Sequence, residues 1–209
     1  MSTKLKIAAA VAAAVLLSAC SSPKHEPMPL VKFTPSMEVT EVWSKGLSSA
    51  EGFLVPAVYD DMVFAAGGKT LTRLNARTGE TEWSVSFNSP ITGGVGSDGY
   101  VTAVGLWDGN LEVVDAEGKV SWEKKLTTEL ASPPVVSHGL VIARTMDTRV
   151  SAFEASSGEL QWTYQRSQPA LTVRLPTRML AHDNFLLVGQ PNGHIVILDI
   201  ACLLYTSDA

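Results

Sequence analysis

The chain has 209 residues, with 16 Lys and Arg against 21 Asp and Glu, giving a formal charge of −5 at pH 7. That length holds one domain or a slice of a repeat array, and the lack of any Lys/Arg cluster excludes a nucleic-acid footprint. The two cysteines, Cys20 and Cys202, sit in contexts that argue against pairing, so no disulfide framework is implied.

Lys4 and Lys6 precede an apolar run from Ile7 to Leu17, which ends in Leu17-Ser-Ala-Cys20. A charged start, a short apolar core and a small-residue processing site make residues 1–19 a signal peptide. A spanning helix needs about 20 apolar residues, so this run is too short for a lasting transmembrane anchor. Leu-Ser-Ala-Cys resembles the bacterial lipobox. That resemblance implies cleavage before Cys20 and lipidation of its thiol and new amine; two or three acyl chains make such an anchor stable. Ser21 stands where an Asp would favour inner-membrane retention, which points to the outer membrane. Residues 20–37 carry Pro23, Pro27, Pro29 and Pro35 and read as an extended tether.

Beyond the tether the chain repeats itself. Leu71-Thr-Arg-Leu-Asn-Ala-Arg-Thr-Gly-Glu-Thr-Glu-Trp83 is rewritten at Leu111–Trp122 and Val150–Trp162, and Ile195-Val-Ile-Leu-Asp199 begins a fourth copy. With Trp43 included, the tryptophans stand 40, 39 and 40 residues apart. A fixed period of this size outranks any single motif, because it sets the architecture.

Each period contains an inner run around Val58, Val95, Val136 or Leu180, then a polar turn and a second apolar run. A hairpin turn follows, at Gly68-Lys69, Asp108-Gly109, Asp147-Thr148 or Asn192-Gly193; Asp-Gly and Asn-Gly between apolar runs are strong hairpin signals. The third run ends in Asn75, Asp115, Glu154 or Asp199, and in three copies a Gly turn (Gly79, Gly118, Gly158) leads to the Trp strand. The fold class predicted is all-β: a propeller of four-stranded antiparallel blades. Blades are expected over 54–87, 92–126 and 131–166, with an incomplete one over 178–199. Glu38 to Lys45, around Trp43, reads as a lone outer strand whose three partners come from elsewhere. Trp43, Trp83, Trp122 and Trp162 are expected to pack on adjacent blades, as structural residues rather than ligands.

At the end, the template calls for Gly near 203 and Trp near 207, but the chain has Leu203 and Ser207. Residues 201–209 resemble translated adapter sequence and are taken as a non-native tail, leaving a partial propeller over 38–200. Several motifs are rejected on context. Gly94-Val-Gly-Ser-Asp-Gly99 matches a dinucleotide fingerprint, yet a strand follows it rather than the helix that chemistry needs. His25, His138, His182 and His194 lack metal-ligand spacing. No nucleophile motif is present and no paired carboxylates are expected outside turns, so no catalytic residue, metal or cofactor is assigned. Trp107 lies off the comb and is expected to pack locally.

One connector breaks the regularity. Trp83 to Val95 is 12 residues and Trp122 to Val136 is 14, but Trp162 to Leu180 is 18. The excess falls in Arg166–Arg178, where Leu171, Val173 and Leu175 alternate among Arg166, Arg174 and Arg178. Exposed aliphatics flanked by Arg, on a loop held by a rigid scaffold, suit a partner surface.

The Gly-x-x-x-Trp copies resemble the tryptophan-docked repeats of quinoprotein propellers. Together with the lipobox, the Pro-rich tether and Pro169-Ala-Leu-Thr-Val-Arg174, the chain resembles the BamB family of propeller lipoproteins. The likeness covers residues 1–199, about half of the eight-bladed ring that family implies. It implies a non-enzymatic outer-membrane scaffold of the β-barrel assembly complex, lipid-anchored on the periplasmic face. Implied partners are the barrel subunit BamA, the complex's other lipoproteins and unfolded outer-membrane protein precursors, with no nucleic acid. The family's contact residues carry over to Leu171, Val173 and Arg174, Val173 being a conservative departure; the chain is shorter than the family pattern after Arg174. Two rival readings use the same repeat. One is a quinone-cofactor dehydrogenase, for which no carboxylate/Asn metal set, catalytic Asp or vicinal Cys pair is visible. The other is a cell-wall-binding lipoprotein using exposed aromatics such as Trp107.

Overall fold

A computed structural model describes residues 36–48, 54–165 and 177–201, with the backbone of 205–208. Among them no residue is helical. The strands form four sheets of four, each running up and down in sequence order. Blade 1 holds β1 (Ala57–Tyr59), β2 (Met62–Gly67), β3 (Thr70–Asn75) and β4 (Thr81–Ser86). Blade 2 holds β5 (Ile91–Ser97), β6 (Thr102–Leu106), β7 (Asn110–Val114) and β8 (Val120–Lys125). Blade 3 holds β9 (Val135–Ser137), β10 (Leu140–Arg144), β11 (Val150–Glu154) and β12 (Leu160–Tyr164). Blade 4 holds β13 (Leu180–His182), β14 (Phe185–Gly189), β15 (Ile195–Asp199) and β16 (Tyr205–Asp208). This is the propeller architecture that the repeat predicts.

Period-two alternation explains where the core lies, because successive side chains on a strand face opposite blades. Phe64, Ala66 and Leu71 of blade 1 meet Val104, Leu106 and Val114 of blade 2. The alternate residues of blade 2, Ala103, Leu111 and Val113, meet Val141, Ala143 and Phe153 of blade 3. Leu140, Ile142 and Val150 then face Leu186, Val188, Val196 and Leu198 of blade 4. The core is therefore a series of seams rather than one centre, and each blade is stable only against its neighbours.

The outer strand of every blade joins with a register shift, at Arg73/Leu74, Val113/Val114, Ala152/Phe153 and Ile197/Leu198. An extra residue at each shift bends the strand. The shift brings Trp83 opposite Arg73, Trp122 opposite Val113 and Trp162 opposite Ala152. In blade 4 the same column places Ser207 opposite Ile197. The segment expected to be a non-native tail thus supplies an outer strand, because ladder pairing uses the backbone and asks for no Trp. Residues 38–48 pair with no strand among the described residues, so the lone strand expected over 38–45 has no ladder here.

The β2–β3 and equivalent hairpins turn on left-handed residues: Gly68 (φ 57°), Gly109 (φ 83°), Gly193 (φ 86°) and, in blade 3, Thr148 (φ 67°). A β-branched residue there crowds its Cβ against the carbonyl that follows. Thr148→Gly should therefore raise the unfolding free energy by about 0.5–1 kcal/mol, the relieved strain exceeding the added chain entropy. The urea midpoint reads this; a lowered midpoint would mean that contacts of the Thr side chain hold the hairpin.

Candidate functional site

The recurring tryptophans staple one blade to the next. Trp43 donates its indole N–H to the Ala76 carbonyl at 2.9 Å, Trp83 to Ala116 at 2.9 Å, Trp122 to Ala155 at 2.8 Å and Trp162 to Ile200 at 2.9 Å. Each acceptor follows the polar residue that ends the third strand of the next blade. Gly79, Gly118 and Gly158 lie under the rings of Trp43, Trp83 and Trp122. A Cβ on them would stand 2.6, 2.7 and 2.8 Å from ring carbon, and all three have positive φ. Close approach and left-handed backbone both require Gly there. The repeat residues thus form a rigid frame with no catalytic grouping.

Cys20 and the candidate partner residues Leu171, Val173 and Arg174 lie outside the described residues. The end of the connector that carries the latter is described at Thr177. Arg144 donates to Thr177 Oγ1 at 2.7 Å, and that hydroxyl donates in turn to the Gly189 carbonyl at 3.3 Å. Arg144 is 3% exposed, and its burial lowers its pKa. A buried guanidinium thus ties blade 3 to the entry of blade 4, where the connector ends. Alternation on β10 with Leu140 and Ile142 was the sequence signal for it.

Trp107 does not pack locally as expected; it is 64% exposed, at the tip of the β6–β7 hairpin. It borders an open recess of about 420 Å³ with Thr128, Met146 and Asp147. Its place in the turn Trp107-Asp108-Gly109 holds it away from both seams.

Paired carboxylates do occur outside the turns, contrary to the sequence reading. Glu112 on β7 is directly opposite Glu123 on β8. Glu112 also opposes Val104, so it shares the face that packs on blade 1. Burial, then repulsion and hydrogen bonding from Glu123 and the charge of Asp108, raise its pKa to about 7. At the same ladder position blade 1 has Thr72 opposite Ser84 and blade 3 has Ser151 opposite Thr163, hydroxyl pairs at 3.1 and 3.3 Å. The outer part of a seam therefore accepts different chemistry from blade to blade. Among the described residues no His, Cys, Asp and Glu group is arranged to hold a metal ion.

Comparison with known proteins places these features in a family. The family model described as "Outer membrane protein assembly factor BamB" matches residues 67–202. The BamB of Burkholderia pseudomallei is 37% identical over 198 residues, covering 92% of this chain and 52% of that protein. The chain spans about half the length of the curated relatives it matches. Among solved structures, BamB from Moraxella catarrhalis is similar with a TM-score of 0.66 and 27% identity, over 74% of this chain and 48% of that one. A quinohemoprotein alcohol dehydrogenase from Pseudomonas putida HK5 is similar with a TM-score of 0.59 and 16% identity, over 78% and 34%. The latter likeness concerns the fold alone.

Proposed function

The chain belongs to the BamB family of outer membrane protein assembly factors, and from that premise we propose that it is a non-catalytic scaffold of the β-barrel assembly machinery. Cys20 carries the lipid that holds it to the outer membrane, and Pro23 to Pro35 form the tether to the propeller. The propeller binds the periplasmic domains of the barrel subunit BamA through Leu171, Val173 and Arg174, and it assists the folding and insertion of outer-membrane proteins.

The observation that carries the reading is the family match over 67–202, which includes Pro169–Arg174. Two physical points support it. The blades are locked by Trp–carbonyl bonds at each described seam, which suits a platform that must hold loops still. Relatives with this sequence are named assembly factors, whereas the dehydrogenase shares fold at 16% identity.

The reading is tested in cells with the full protein, by purifying it and probing for the barrel subunit. Leu171→Ala with Arg174→Ala should cut co-purification at least about tenfold, since a hot-spot pair is worth 2 kcal/mol or more. The circular dichroism and melting of the variant should match wild type. Undiminished co-purification would remove this connector from the interface.

A further inference from the structure

The seam between blades 2 and 3 has an outer groove of about 350 Å³, distinct from the connector and from the Trp107 recess. It carries three cations, Lys124, Lys125 and Arg149. Lys124 shares the blade-3 face of β8 with Trp122, two residues away. Its ammonium makes no hydrogen bond or ion pair among the described residues. Lys125 is engaged, donating to the Asp108 carbonyl. Arg149 has one nearby carboxylate, Asp147, at 3.9 Å from its Nε. That Nε is shielded from solvent and meets no hydrogen-bond acceptor. Asp147 is already occupied: Thr145 and Thr127 donate to its two oxygens.

A buried donor without an acceptor is costly, and so is an idle cation beside it. Blade packing does not impose this arrangement. In the preceding seam the position of Lys124 is held by Val85, and that of Ser151 and Thr163 by Glu112 and Glu123. The groove is therefore a local departure from the repeat with positive character. Its floor is Phe153 and Ala143, and Leu160 on its rim is 54% exposed.

The Trp43 seam shows what such a groove accommodates. There Lys45 stands near Thr72 and Ser84, and residues 46–48 of the chain itself line the cavity. A stretch of polypeptide shares that space, packed so closely that a Cβ on Gly67 would come 2.6 Å from the Ser48 carbonyl oxygen.

We propose that the blade 2–blade 3 groove is a docking site for an acidic side chain on an extended, aliphatic-rich peptide segment, received by Lys124 and Arg149. The guanidinium fork and the ammonium close on the carboxylate. The Ser151 and Thr163 hydroxyls provide further donors, and the Phe153–Leu160 surface takes the neighbouring aliphatic side chain. The site does not depend on the connector or on the assembly partner proposed above.

The test is fluorescence anisotropy of the chain with a labelled GVELG peptide, its neutral GVQLG counterpart and inorganic phosphate as competitor. GVELG should bind saturably and weaken as salt rises. Lys124→Gln should reduce its affinity about tenfold, and adding Arg149→Gln should abolish it, a charge-assisted bond being lost each time. Lys119→Gln, in the turn at the opposite end of β8, should leave it unchanged. Lys124 makes no internal bond, so its replacement leaves the tryptophan emission and melting curve as in wild type. Equal binding of GVQLG, full affinity in Lys124→Gln, or no saturable binding would each overturn the proposal. So would displacement by phosphate at the peptide's own affinity, which would make the groove a simple anion hole.

Discussion

Replacing Trp162 with Ala should lower the unfolding free energy by about 4 kcal/mol, the range for removing a buried indole. Trp162 is the most buried of the comb at 9% exposure, and it packs with Leu186, Val196, Leu198 and Ile200 of blade 4. Its loss opens a cavity in that seam and leaves the buried Ile200 carbonyl without its 2.9 Å donor. Trp107→Ala is the control: at 64% exposure, its removal should change stability by no more than about 0.5 kcal/mol. Gly158→Ala approaches the same kind of seam from the other side. It forces a Cβ into the Trp122 ring at a φ of 71°, and should cost about 2–3 kcal/mol. Urea denaturation of the three variants gives the order Trp162→Ala, Gly158→Ala, Trp107→Ala. Equal losses at Trp162 and Trp107 would mean that the comb does not staple the blades.

Why that frame was legible in the sequence follows from its physics. A Trp that docks on a neighbour needs a Gly under its ring, and the Gly needs a turn that tolerates positive φ. The three demands recur at one spacing, so they appear as columns once the copies are aligned. Blade topology came with them, because four short strands in such a period have few ways to pair. The groups that distinguish one seam from another were harder to see. Glu112 and Glu123 are 11 residues apart, and simple hairpin counting from Val114 and Val120 would set Glu112 against Trp122. The shift at Val113/Val114 moves the register by one and brings the two carboxylates face to face. Lys124 and Arg149 belong to different blades, and only the closed seam brings them to one groove. The exposure of Trp107 could not be read either, since a hairpin tip can fold back on its blade or stand clear of it.

The Glu112–Glu123 pair makes stability depend on pH in the direction opposite to an ordinary carboxylate. Folding raises the Glu112 pKa from 4.5 to about 7, through burial first and the Glu123 and Asp108 charges next. Below the unfolded value both states are protonated and the native state carries no penalty. Between the two values the native state holds a proton that the unfolded chain has released, so stability falls as pH rises. Above about pH 7 the native carboxyl ionises beside Glu123, and the loss is complete. Glu123 is solvent-exposed and screens part of the repulsion, so the total is about 2 kcal/mol rather than the full value of the shift. Glu112→Gln removes the titration while keeping the shape. Its unfolding free energy should equal wild type near pH 4 and exceed it by about 2 kcal/mol at pH 8, the curves separating across pH 4.5–7. Because the proton belongs to the pair, Glu123→Gln should reproduce part of the gain by removing the like charge. Curves that stay parallel from pH 4 to 8 would show that the two carboxylates do not meet in solution, and with them the register of the blade 2 outer strand would have to be redrawn.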